Sequence, residues 1–253
     1  MILIKTLKEI DFIRESCKIV AQTLELVKKH AEVGVTTKEL DIIAEDFILS
    51  RNSKAAFKGY RQQGTPPFPS ALCISLNEEV VHGIPSSRKL KDGDIVSIDV
   101  GVLKNGYFGD AATSFIVGTR SSDRVKLLEV TERSLYLGIE QARKENRVED
   151  ISYAVQSYVE ANGFSVVREL TGHGVGRFLH EDPSIPNYGK QGHGPKLKSG
   201  MTLAIEPMVN FGKKAVFVKE DGWTIAASDG LPSAHFEHSI LVTSETAEIL
   251  TVT

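Results

Sequence analysis

Cysteine is scarce in this chain: Cys17 and Cys73 are the only two among 253 residues. Two thiols build neither a disulfide framework nor a zinc finger of their own, and they suit a reducing, cytoplasmic setting. Long apolar runs are missing as well. No segment approaches the roughly 18 apolar residues of a membrane span. The opening stretch MILIKTLKEIDFIRESCK is charged every few residues, unlike the apolar run of a signal peptide. There is no excess of positive charge, since the formal net charge is −3, and so no basic footprint for nucleic acid. No low-complexity linker divides the sequence.

What remains is an ordinary globular balance, 41% hydrophobic and 25% charged, in a chain long enough to bury a full core. Residues 1–253 are expected to form a single catalytic domain of two intimate halves, about 1–120 and about 121–253. Each half runs helices first and strands after, which argues for an α+β fold. In the first helix Ile10, Ile13, Cys17, Val20 and Leu24 share a face. A second opens on a capping box of Thr36 and Glu39. SDRVKLLEVTERSLYLGIEQARKE reads as a third helix, and EDISYAVQSYVEANGF as a fourth stopped by Gly163.

One strand is written twice. LKDGDIVSIDV (Leu90 to Val100) and LKSGMTLAIEP (Leu197 to Pro207) share Leu, Lys, Gly and Ile, and Asp99 falls on Glu206. In the first copy Val96, Ile98, Val100 and Val102 alternate with Ser97, Asp99 and Gly101. Asn105-Gly106 then signals a two-residue hairpin turn. That turn places Gly101 opposite Asp110 and makes Asp99 and Asp110 diagonal neighbours on one face. Two carboxylates in one space repel unless a cation lies between them, and Gly101 is expected to leave that space empty. In the second half Thr202, Ala204 and Glu206 share a face, as do His235, Glu237 and Ser239. His173 stands between glycines, where an imidazole can reach inward. Four carboxylates and one histidine suit two divalent ions, with Mn, Fe or Co fitting at least as well as Zn.

The order Asp99, Asp110, His173, Glu206, Glu237, within SIDVG, GDAATSF, GHGVGRFLHEDP, AIEPM and FEHSILVT, resembles the type I methionine aminopeptidases. CISLNEEVVHGIP, residues 73–85, is a further signature of that family. The resemblance runs from the first helix to the last strand. It implies a pita-bread fold, with two pseudo-symmetric αβ halves around a dinuclear metal site, and removal of the initiator methionine from nascent chains, favouring a small second residue. It also implies that Asp110 and Glu237 bridge the metals, that Asp99 chelates one, and that His173 and Glu206 bind the other. A bridging hydroxide would be the nucleophile and Glu206 the general base, with His180 on the scissile carbonyl and His82 on the peptide nitrogen.

Tyr60, Phe68, Cys73 and Trp223 fall at or near positions that build a methionine pocket in that family, although Phe and Trp serve equally as plain core. Two positions depart from the pattern: Leu179 precedes His180 where an aromatic often stands, and His235 replaces a different polar residue. His30, His193 and His238 carry no motif. The resemblance also implies transient ribosome contact, for which basic residues of the first helix or of GKKAVFVK (Gly212 to Lys219) are the candidates, and a monomer is the default expectation. Two other readings share the sequence features. An Xaa-Pro aminopeptidase has the same metal set, but usually a large domain before it for which the early Asp99 leaves no room. A non-catalytic binding protein of this fold is the other, and substituted ligands would be its mark. Only 31 positions separate Glu206 from Glu237, too few for the insertion of the type II enzymes.

Overall fold

In the computed structural model, residues 1–62 and 64–252 are described. Hydroxyl caps set where the first helices begin. Thr6 and Thr36 each close a capping box, with Glu9 and Glu39 reaching back, so that α1 runs Leu7–His30 and α2 Thr37–Ser50. The stripe Ile10, Ile13, Cys17 and Val20 on α1 is buried as its spacing predicts.

Five strands follow: β1 Lys54–Ala55, β2 Cys73–Leu76, β3 Glu79–Val81, β4 Ile95–Lys104 and β5 Tyr107–Ile116. Asn105 and Gly106 both take positive φ, 52° and 82°, the two-residue turn whose twist suits a hairpin. It sets the register of β4 on β5, with Gly101 opposite Asp110 and Asp99 opposite Ala112. Val96, Ile98, Val100 and Val102 turn their side chains into a core shared with Val20, Leu40 and Ile48.

The second half repeats the plan with α3 Ser122–Gln141 and α4 Val148–Ala161. The periodic sequence predicts α3 as far as Glu145, four residues further than it runs. The helix stops because the Asn146 side-chain amide donates to the Gln141 carbonyl at 3.0 Å, closing the turn. Then come β6 Ser165–Val166, β7 Thr171–Gly174, β8 Glu181–Pro186, β9 Thr202–Ile205, β10 Met208–Asn210, β11 Val216–Val218, β12 Ile225–Ala227, β13 Ser233–His235, β14 His238–Leu241 and β15 Glu248–Ile249. The strand β4 carries β1, β2 and β5, while the second main sheet runs β15-β14-β9-β7-β8.

The two copies of the repeat hold equivalent places. Gly93 and Gly200 both adopt left-handed φ, 84° and 89°, as each copy turns into its strand. Leu90 donates its N–H to Val35, just before α2, and Leu197 donates its own to Asn146, just before α4. Across the pseudo-twofold axis, β5 meets the segment linking β13 and β14 antiparallel. Ala112 and Glu237 exchange two backbone hydrogen bonds. On one side the Ser239 hydroxyl donates to the Asp110 carbonyl and accepts from its N–H. On the other the Ser114 hydroxyl does the same for His235. This ladder joins the halves where the candidate site lies.

Candidate active site

Asp99 and Asp110 project from the unbroken strands β4 and β5, whereas the second half aims its groups by breaks and close approaches of its strands. The chain leaves β9 at Glu206-Pro207 and leaves β13 at Phe236-Glu237, so both glutamates project at the junction of two sheets. Gly172 and Gly174 flank His173 because β8 and β9 run too close for any side chain: a Cβ on either would lie within 2.5 Å of a backbone oxygen. Nδ1 of His173 bonds the Gly174 carbonyl at 2.9 Å, which turns Nε2 toward the carboxylates. That nitrogen is 3.5 Å from Glu206 Oε1 and 4.0 Å from Asp110 Oδ2. The second oxygen of Glu206 is 3.6 Å from Nε2 of His235. Glu206 thus stands between two imidazoles.

Crowding and burial raise the carboxyls. Desolvation pushes Asp99 up to about 7, with Glu206 adding to the rise, and Glu206 itself up to about 8. Asp110 and Glu237 are held well above the ordinary carboxylate range by burial first and by their acidic neighbours second. Burial also lowers the histidines, His173 to about 3 and His82 to about 4, so the imidazoles are neutral and able to donate a lone pair. Six buried side-chain polar atoms lack a partner among the described residues, and four converge here: Asp99 Oδ1, Asp110 Oδ1, Glu237 Oε1 and His235 Nε2. Asp110, His173 and Glu237 form one group whose ligand atoms all lie within 4.8 Å of one another, and Glu206, His235 and Glu237 form a second. Orphaned carboxylate oxygens beside neutral imidazoles are what divalent cations satisfy, so the residues fit such ions.

The same cavity opens onto an apolar wall. Tyr60, Phe68, Cys73 and Trp223, named from sequence, all line it, and Phe57 and Leu179 join them. Phe68 and Trp223 pack edge to face at 5.3 Å, and the Trp223 indole N–H donates to the Pro66 carbonyl. Gly101 does not leave space for a cation, as the sequence suggests. A Cβ there would lie 2.8 Å from the Phe57 ring and 2.9 Å from Ala56, so the glycine makes room for a pocket residue instead. His82 and His180 both line the cavity. His82 has φ 59°, a conformation unusual outside glycine, next to a Gly83 that abuts the Ile74 carbonyl. His180 packs against His173 with ring centroids 4.4 Å apart and bonds the Tyr60 hydroxyl.

One contributor escapes a reading of sequence alone. Phe57 carries no motif. His235 does carry a signal, since it alternates with Glu237 on the inward face, but it stands out only once its Nε2 is seen to be buried beside Glu206. The three histidines without a motif lie away from the cluster. His30 and His193 are exposed, and His238 bonds Thr251 behind the site.

Comparison with known proteins shows the family of the chain. The sequence pattern of metallopeptidase family M24 matches residues 11–244. The chain is 53% identical over 251 residues to methionine aminopeptidase 1 of Bacillus subtilis, covering 99% of each. It is 51% identical over 252 residues to a methionine aminopeptidase of Clostridium perfringens, covering 100% of this chain and 99% of that one. The crystal structure of a methionine aminopeptidase from Thermotoga maritima superposes with a TM-score of 0.96 at 47% identity, covering both chains in full.

Proposed function

The chain belongs to metallopeptidase family M24 and has its pita-bread fold, and from that premise we propose that it removes the N-terminal methionine of peptides and newly made proteins, favouring a small second residue. The observation that carries the reading is the joining of two features in one cavity: a buried cluster of unpaired carboxylates and an apolar wall of Phe57, Phe68 and Trp223. The first suits hydrolysis, and the second suits an unbranched thioether side chain.

Asp99, Asp110, His173, Glu206 and Glu237 would hold two divalent ions, Mn, Fe, Co or Zn, which when bound lower the pKa of water and so supply a nucleophile near neutral pH. The chain's own groups do the rest. The apolar wall takes the methionine side chain and so fixes the register of the peptide. Glu206 accepts the proton of the attacking water and returns it to the leaving amine. His180 donates to the scissile carbonyl oxygen as negative charge develops there. His82 contacts the nitrogen of the bond being cut. The whole chain acts as one catalytic domain, a monomer in the cytoplasm. Contact with the ribosome would be transient and would rest on exposed Lys213 and Lys214 rather than Lys219, which is engaged with Glu79.

The test is release of free methionine from a Met-Gly peptide by protein stripped with chelator and restored with Mn²⁺, Co²⁺, Fe²⁺ or Zn²⁺. Metal-dependent release from Met-Gly, with none from the N-acetylated peptide, is the expected result. Cleavage of an Ala-Pro peptide instead would move the substrate to the proline-specific branch. No cleavage with any metal would point to a binding protein of this fold.

A further inference from the structure

We propose that His235 is itself a metal ligand, so that the site carries two imidazole nitrogens and not one; this rests on the metallopeptidase reading above. Four observations converge. The side chain is 1% exposed, and its Nε2 has no hydrogen-bond partner among the described residues. It shares that condition with an oxygen of Asp99, of Asp110 and of Glu237, three residues of the expected ligand set. Its Nε2 lies 3.6 Å from Glu206 Oε2, and it forms with Glu206 and Glu237 one of the two groups whose donor atoms lie within 4.8 Å of one another.

The fourth observation is topological. The antiparallel ladder across the pseudo-twofold axis pairs Asp110 with Ser239 and His235 with Ser114 through the same two hydroxyl bonds. His235 is therefore the second half's counterpart of Asp110. The fold writes the inward-pointing position twice and fills it once with a carboxylate and once with an imidazole. A second nitrogen would move the site's preference toward the metals that imidazole suits, Zn, Fe and Co, over Mn.

The test uses full-length protein with ¹⁵N-labelled histidine, stripped and then loaded with ¹¹³Cd²⁺. One-bond Cd–N couplings identify each ligating ring nitrogen directly. Two Nε2 resonances are expected to split, one of them vanishing in His235→Gln. Metal affinity should fall at least about tenfold in that variant, while its melting temperature in chelator stays near that of the parent. A single split resonance that persists in His235→Gln, with unchanged affinity, would overturn the assignment and leave His235 as a hydrogen-bond partner of Glu206. No cadmium binding at all would overturn the metallopeptidase reading together with it.

Discussion

The hydroxyl of Tyr60 lies 2.9 Å from Nδ1 of His180, joining the apolar pocket to the imidazole proposed to act on the scissile carbonyl. Burial raises the Tyr60 pKa and lowers that of His180, so a protonated phenol faces a neutral imidazole. When the phenol donates, Nδ1 is the acceptor and Nε2 carries the proton, which is the tautomer that a donor to an oxyanion requires.

Removing that hydroxyl in Tyr60→Phe keeps the ring in the pocket and frees the tautomer. The expected result is a fall in kcat of about tenfold, on the order of one neutral hydrogen bond, with KM little changed. His180→Ala should cost about a hundredfold or more. Steady-state kinetics on Met-Gly peptides checks both. A Tyr60→Phe enzyme that loses only KM would mean that the tyrosine packs against substrate and does not set the imidazole.

The serines of the cross-axis ladder give a stability prediction. Ser239→Ala leaves the Asp110 N–H unpaired in the core, and Ser114→Ala does the same to His235. Each should cost about 1–3 kcal/mol, a drop of roughly 2–4 °C in melting temperature per kcal/mol for a chain of this size. Ser239→Ala should also weaken metal binding, because it loosens the backbone that aims Asp110. Calorimetry on the stripped and loaded proteins separates the two effects, and wild-type melting in both variants would dismiss the ladder.

The raised carboxyls give a pH prediction for the metal-free protein. Asp99 at about 7 and Glu206 at about 8 unfold to ordinary values of 3.8 and 4.5. Over that interval the folded chain holds more protons than the unfolded one, so stability falls as pH rises. The buried histidines act in the opposite sense, but only below their ordinary 6.5. Between about 6.5 and 8 the carboxyls dominate, and chelated protein should lose melting temperature across that window. Saturating Mn²⁺ should abolish the loss, because the cation takes the place of the protons. A melting temperature that stays flat or rises for the chelated protein would contradict the raised carboxyls.

Much of this site can be read in the sequence because local rules govern it. Asn105-Gly106 fixes a turn, the turn fixes a register, and strand alternation then puts Asp99 and Asp110 on one face. The repeat places Glu206 by the same logic. What escapes is set by contacts between distant segments. Tyr60 meets His180 across 120 positions, and Phe57 fills the space over Gly101 that alternation alone leaves open. The end of α3 depends on a side-chain cap from beyond the helix, which helical periodicity does not encode. His235 could be seen to share a face with Glu237, but its missing hydrogen-bond partner is a property of the packed interior.

Both halves together supply one metal-dependent site, on which release of N-terminal methionine should depend. The most direct test is to titrate stripped protein with Co²⁺ while following bound metal and methionine release from Met-Gly together. No release is expected in chelator, and release should rise with the metal bound and reach its plateau by two ions per chain. Methionine release that persists in full with chelator present would contradict that dependence.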